Sequence, residues 1–508
     1  MRGTVLVFSL SILSAVAAYL LRIFVARELG PYDYGVFYSV LAVMSFIGLF
    51  NNLGFNDAIT KFVSEFKVKK EYEKIKSIII YSLGIKFTIF SLIMILVFHF
   101  SNYIAISIIH EPSAGLIVKI LTFTILLTAI SPIFHSVLRG LGKIKYFSIA
   151  AYSSIVFVFI FSVILLPYSS NKLITYSICF LLSGLIVDGL GVFFFIKSFP
   201  LFSRVRTIFS KELLTKFLKF SIPTFAYSIA FTIISYTDTI MLSIIKGPEL
   251  VGNYQIAVPS AKIVLFFAMA LNAVLLPLFS EMWTKGEKKE ISSMVSKIVK
   301  LSFVITLPIS MIFIAFPKII ITLLFGNNYI LAAEPLRILA IGYLFYTAAS
   351  IHFSVMNGIG KPKLTAKVIY SAAVLNFFLN LVLIPSYGLI GAAIASMTSF
   401  ILSLLISFAL LKKEFSYHNI KIKSPLGELT KTLIFGGLTV LLITLLKNVI
   451  VLNPWIELIL IGSVALVFYF LLVLRFGVVT IDDLKLIKEL NLPIPNVLIR
   501  ILKLLVSE

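Results

Sequence analysis

Long apolar runs separated by short polar stretches dominate this chain. A helix that crosses a bilayer needs about 20 mostly apolar residues, and about fourteen runs reach that length. Their centres fall near Ala15, Ser45, Phe90, Leu126, Phe157, Leu185, Ile233, Ala268, Ile312, Phe345, Phe377, Leu402, Val440 and Ala465. Arg22 interrupts the first run and Lys262 the eighth. The pattern predicts an all-α integral membrane protein of about fourteen transmembrane helices.

Composition agrees. Hydrophobic residues make up 60% of the 508 positions, and the mean hydropathy is +1.07. Soluble domains sit nearer half apolar, so lipid must cover part of this surface. Cys179 is the only cysteine, which excludes an intrachain disulfide framework and a thiolate metal cluster.

The net charge of +22 does not point to nucleic acid, because the charges lie in short stretches between apolar runs. Every second connection is basic: Lys61–Lys76, Arg139–Lys145, Lys197–Lys219, Lys285–Lys300, Lys361–Lys367 and Lys412–Lys431. The opposite connections hold scattered cations such as Arg27, Lys172 and Lys246. The basic loops and both termini are therefore predicted to be cytoplasmic. After Arg475 the tail alternates apolar and charged residues (Leu484, Lys485, Ile487, Lys488), as in a helix lying on the inner membrane surface.

The chain also repeats itself. Gly30-Pro31 followed by Gly35 matches Gly247-Pro248 followed by Gly252, and Phe37 matches Tyr254. Ser64-Glu65 matches Ser280-Glu281, and Gly140-Leu141-Gly142-Lys143 matches Gly358-Ile359-Gly360-Lys361. A near-constant offset across six spans predicts two six-helix lobes that enter the membrane in the same sense, related by a pseudo-two-fold axis along its normal. The expected division is an N-lobe over 1–215, a C-lobe over 216–430, a helix pair over 431–475 and a cytoplasmic amphipathic tail over 476–508. Two parallel lobes suit alternating access around a central site.

Several stretches carry a family resemblance. Ala26-Arg27-Glu28-Leu29-Gly30-Pro31-Tyr32-Asp33-Tyr34-Gly35 resembles the first external loop of polysaccharide flippases. Gly252-Asn253-Tyr254, Leu324-Phe325-Gly326 and Ile384-Pro385-Ser386-Tyr387-Gly388 are similar to later segments of the same proteins. The resemblance covers essentially the whole chain. It points to the multidrug/oligosaccharidyl-lipid/polysaccharide exporter (MOP) superfamily. The extra helix pair is closer to its polysaccharide and peptidoglycan-precursor branches than to its drug extruders.

Ionisable groups at membrane depth are costly and are functional candidates by default. Arg22, Lys86 and Lys262 lie within spans, and Arg27 sits at the outer mouth. As substrate-binding candidates they suit an anionic head group, Arg through its planar fork and Lys as a point charge. The resemblance implies the same, since related flippases use cavity arginines for pyrophosphate. Among the acids, Asp188 and Asp238 are the candidates for cation coupling, and Asp188 is also a candidate proton relay. Asn376 and Asn380, four apart on one helix face, and Thr398 offer hard oxygens. With Asp238 they resemble the sodium site of the peptidoglycan-precursor flippase, although Asn380 stands where that protein has a second carboxylate. Helix–helix hydrogen bonding is the other role open to these amides.

No Gly-x-x-x-x-Gly-Lys phosphate loop is present, so the chain is not expected to hydrolyse ATP. The short connections leave little room for an enzymatic site, and the recurring Gly-x-Gly-Lys reads as a structural turn. The expected protein is a non-enzymatic transporter without cofactor, possessing Na+ or H+ coupling. Its expected substrate is a polyprenyl-phosphate- or pyrophosphate-linked oligosaccharide, moved from the cytoplasmic to the outer leaflet. Its expected partners are that lipid, the surrounding membrane lipids and glycosyltransferases of the same pathway. The alternative is a cation-coupled extruder of drugs or organic cations.

Overall fold

The computed structural model describes residues 2–483 except 130, 200–201, 203, 421–425, 450–452 and 481. The chain is helical, with no strand among the described residues. Eleven helical stretches among them are long and apolar enough to cross a membrane. Two of these, Ser9–Gly48 and Pro362–Ser416, span 40 and 55 residues, enough for two crossings each. The amphipathic tail expected from 476 lies, from 484 on, outside the described residues.

Contacts divide the chain into two compact units, Met1–Gln255 and Ile256–Glu508. The first holds α1 (Arg2–Asn52), α2 (Phe55–Val68), α3 (Tyr72–Ile104), α4 (Ala114–Thr128), α5 (Ser131–Gly140), α6 (Ile144–Leu165), α7 (Lys172–Ser198) and α8 (Lys211–Lys246). The unit boundary falls within α9 (Pro248–Ala261). The second unit continues with α10 (Phe266–Lys285), α11 (Lys288–Ala315), α12 (Pro317–Phe325), α13 (Ala333–Gly358), α14 (Pro362–Ser416), α15 (Leu426–Val449) and α16 (Pro454–Arg475). The first unit thus takes α8 and the head of α9 beyond the 1–215 expected for an N-lobe.

Each unit has the polarity of a membrane protein. On α3, Phe87 and Ile95 face outward while Ser82 and Lys86 are buried. On α14, Leu405 is exposed while Ser403 and Ser407 are buried. An outward apolar face with polar groups turned inward is what a hydrocarbon solvent selects.

Breaks in the helices are built into the sequence. Gly30 breaks α1 at φ 73° and ψ 171°, and Gly388 breaks α14 at φ 53° and ψ −124°. Both conformations lie in the region open to glycine. The second span, expected as one helix, ends at Asn52 and resumes as amphipathic α2, because Leu53 and Gly54 both take positive φ. Asp57 and Glu65 therefore ride on α2. The eighth span, expected as one helix, is interrupted by a short 3-10 segment, Lys262–Leu265, that begins at the charged residue of its apolar run. Arg22 leaves its helix intact.

The repeated Gly-x-Gly-Lys segments are turns, as expected. Lys143 N donates to Leu138 O at 2.9 Å, and Lys361 N to Met356 O at 2.8 Å. Gly142 and Gly360 have φ of 74° and 77°, so each copy ends its helix in a Schellman cap. The first glycine of each copy packs alike too. A methyl on Gly140 would lie 2.9 Å from Thr60 O, and one on Gly358 would lie 3.0 Å from Leu276 O.

Candidate functional site

In the first unit the break at Gly30 folds the second half of α1 back against the first. Arg22 Nη1 then reaches the Tyr34 hydroxyl at 3.2 Å, and its guanidinium carbon sits 5.2 Å from the centre of the Tyr38 ring. The same Nη1 donates to the Gln255 carbonyl of α9 at 2.7 Å. Tyr176 of α7 closes the other side, with its ring 4.4 Å from that of Phe37. Arg22 is thus seated in a cage of tyrosines, and its hydrogen-bond partners among the described residues are neutral.

The α9 side of this cluster repeats the α1 side. Moved by 217 positions, the spacing from Gly30 to Gly247, Arg22 falls on Thr239 and Tyr38 on Gln255. Gln255 Nε2 donates to Thr239 Oγ1 at 2.7 Å, the counterpart of Arg22 lying over Tyr38. One position earlier, the buried Asp238 carboxylate accepts from the Tyr254 hydroxyl at 2.7 Å. The two Gly-Pro-x-x-x-Gly copies meet here. A methyl on Gly35 would lie 1.8 Å from Pro248 O, and one on Gly252 would lie 2.0 Å from Pro31 O.

Residues 1–283 match the family described as polysaccharide biosynthesis protein. The chain belongs to that family. Residues 223–382 also match the MatE family. An uncharacterized membrane protein of Methanocaldococcus jannaschii is 32% identical over 397 residues, covering 76% of this chain and 78% of its own. Agl15 of Haloferax volcanii, a probable low-salt glycan biosynthesis flippase, is 25% identical over 409 residues, 78% of this chain and 80% of its own. The lipid II flippase MurJ in an inward closed conformation shares the fold, with a TM-score of 0.76 at 18% identity over 93% of this chain and 99% of that one. This polysaccharide biosynthesis protein is a multi-pass membrane transporter of the MOP superfamily, not an enzyme.

The other candidate residues of this family member fall in separate surroundings. Arg27 is exposed, next to Glu28, whose carboxylate pairs with Lys172 of α7 at 2.7 Å. Lys86 is buried on α3, and its Nζ donates to the Ala129 carbonyl at 3.3 Å. That carbonyl lies at the break between α4 and α5, where Pro132 removes an amide donor. Lys262 belongs to the second unit and is exposed on its 3-10 segment. Asp188 sits on α7 in the first unit, against the Ser131 hydroxyl.

Of the hard-oxygen set, Asp238 lies in the first unit and the rest in the second. Asn380 Nδ2 donates to Asn376 Oδ1 at 3.0 Å, and Asn376 Nδ2 to Ser396 Oγ at 3.3 Å. Thr398 Oγ1 donates to its own helix at Ile394 O. The asparagines therefore hold the two halves of α14 together.

The sequence reading missed Tyr34, Tyr38, Tyr176 and Gln255. One signal was available: Gln255 is the chain's single glutamine and falls inside a repeated motif.

Proposed function

We propose that this protein flips a lipid-linked oligosaccharide, carried on a polyprenyl phosphate or pyrophosphate, from the cytoplasmic to the outer leaflet by alternating access. The observation that carries the reading is the charge of Arg22. Its described hydrogen-bond partners are neutral hydroxyl and carbonyl groups, so a whole positive charge is left for an anionic head group. Membership of a polysaccharide biosynthesis family and similarity to Agl15 support the substrate class. Exposed Arg27 and Lys262 supply further attraction for phosphate. The lysine- and arginine-rich connections support a cytoplasmic-membrane protein with both termini inside. Counting α8 as a crossing, and α1 and α14 as two each, supports a reading of fourteen crossings. Glycosyltransferases that build the glycan would work on the cytoplasmic side of the same carrier.

The match of residues 223–382 to the MatE family favours one second reading, a cation-coupled extruder. Reconstitution separates the two. Liposomes holding the protein should translocate a fluorescent polyprenyl-pyrophosphate sugar, and Arg22→Ala with Lys262→Ala should slow this by about tenfold or more, a loss of ~1.4 kcal/mol or greater. Uptake of organic cations that survives the double substitution, with no lipid translocation by the wild type, would replace the flippase by the extruder.

A further inference from the structure

Away from the tyrosine cage, the first unit brings titratable groups together on α3, α5 and α7. The break after α4 lets α5 start afresh at Ser131. Ser131, His135 and Arg139 are then spaced by four and lie on one face of α5. Ser131 Oγ is 3.4 Å from His135 Nε2. The backbone of α7 presses on this pair: a methyl added to Gly191 would lie 3.4 Å from His135 Nε2 and 3.6 Å from Ser131 Oγ. Asp188, one helical turn before Gly191, lies beside Ser131. Its Oδ1 is buried and has no hydrogen-bond partner among the described residues.

A carboxylate oxygen shut away from water without a donor is costly. Adding a proton removes the charge and supplies the missing hydrogen. A metal ion fits less well, since it wants several oxygens and this cluster offers one carboxylate, one hydroxyl and an imidazole. No group of three or more His, Cys, Asp or Glu side chains arranged to hold a metal occurs among the described residues.

We propose that Asp188, Ser131 and His135 form a proton-binding site, with the Ser131–His135–Arg139 face of α5 as its route to the basic end of the bundle. A proton reaches His135 at Nδ1. The imidazolium gives its Nε2 hydrogen to the Ser131 oxygen as Ser131 passes its own hydrogen to the Asp188 carboxylate. The neutral imidazole and the neutral carboxylic acid remain, and every proton is accounted for.

The surrounding charges fit this route. Arg139 bonds Thr60 through Nε at 3.1 Å and faces Asp57 of α2 at 3.4 Å. From α3 comes Lys86, held on the Ala129 carbonyl. From α6 comes Tyr146, stacked on Phe194, with Lys197 of α7 above its ring. The only charged side chain of α4 is Lys119, near the opposite end, and α1 meets α7 at Arg22 and Tyr38, by Tyr176. The site would supply the coupling ion for the transport proposed above, and in that role it rests on that reading.

Its proton binding is read without transport. Difference infrared spectroscopy of the purified protein in nanodiscs, titrated from acid to alkaline pH, should show a protonated carboxyl band that fades as pH rises. Asp188→Asn should abolish the band and Asp188→Glu should move its frequency. His135→Gln should shift its midpoint by about one pH unit or more, tenfold in proton affinity. A band that survives Asp188→Asn, or a midpoint unmoved by His135→Gln, overturns the proposal. Absence of any titrating band in the wild type does so as well, without need of a variant. In liposomes, Asp188→Asn should flip lipid at a rate indifferent to a proton gradient. A wild type that does not flip lipid at all would remove the flippase reading while leaving the titration intact.

Discussion

Gly35 and Gly252 lie with their helices in backbone contact, each pressed against the proline carbonyl that opens the other's motif. A side chain on Gly35 would also come within 2.8 Å of Gly252 N, and one on Gly252 within 3.1 Å of Gly35 N. The obstacles are backbone atoms, which cannot rotate out of the way. Gly35→Ala or Gly252→Ala should therefore push α1 and α9 apart at a cost of about 2 kcal/mol. Gly48→Ala is the control, since a methyl there meets nothing within 4 Å. Thermal unfolding in detergent should fall for the first two and hold for the third. The double variant should lose less than the sum, because both changes break one contact. An unchanged melting temperature for Gly35→Ala would show that the contact carries no stability.

Arg22 joins α1 to α9 through one guanidinium. Arg22→Lys keeps the charge but loses the planar guanidinium that lies over Tyr38 while its Nη1 serves both Tyr34 and Gln255. It should destabilise the protein by about 2 kcal/mol, the scale of a hydrogen bond to a charged group. Tyr38→Leu should cost about 1 kcal/mol, the size of the lost cation–π contact. If Arg22 serves only substrate, Arg22→Lys will slow flipping while the unfolding midpoint stays in place.

At the far end of the second unit, Lys300 of α11 is bonded to Asp483, and both are buried. Asp483 also accepts from the amide and hydroxyl of Thr480, at 2.8 Å each. Removing one partner leaves a buried charge uncompensated, so Asp483→Ala should cost about 3 kcal/mol or more. The Lys300→Met, Asp483→Leu pair should recover much of that loss. A double-variant cycle by thermal unfolding reads the coupling, and strict additivity would rule out the pair as a clamp.

On the side opposite the basic loops, Glu111 accepts from the Tyr32 hydroxyl at 2.5 Å and from Ser113 N at 3.0 Å. These bonds favour the charged carboxylate and hold its pKa below the ordinary glutamate value, the Tyr32 bond first. A depressed carboxyl contributes stability above its unfolded value, and that contribution is lost as pH falls through the folded one. The link is solvent-exposed, so the effect on stability is small. Carbon-13 NMR of labelled glutamate should find Glu111 titrating at lower pH than free glutamate, with Tyr32→Phe raising it. A titration unchanged by Tyr32→Phe would mean that the hydroxyl does not hold the carboxylate.

Much of this architecture was legible in the sequence because its causes are local. About 20 apolar residues make a crossing wherever they occur. Gly30 and Gly388 break helices because only glycine takes those angles cheaply. The repeat foretold that Gly142 and Gly360 would cap alike, and it marked Gly35 and Gly252. The break at Leu53 went unseen although Asn51-Asn52 before it and Gly54 after it are turn-forming residues, because the apolar residues on both sides read as one span.

The sequence alone determined that this chain is an all-α membrane protein with an internal repeat, since hydrophobic length, glycine geometry and a repeated motif need no knowledge of neighbours. Only the tertiary structure decided what the charged residues do. Arg22 could be listed as a cation at membrane depth. That Tyr34, Tyr38 and a carbonyl 233 positions away would hold it depends on how the chain folds back at Gly30. Asp188 and His135 are 53 positions apart in sequence and share Ser131 only because α7 packs on α5 through Gly191. Electrostatic roles are set by distance and burial, and those are properties of the packed chain.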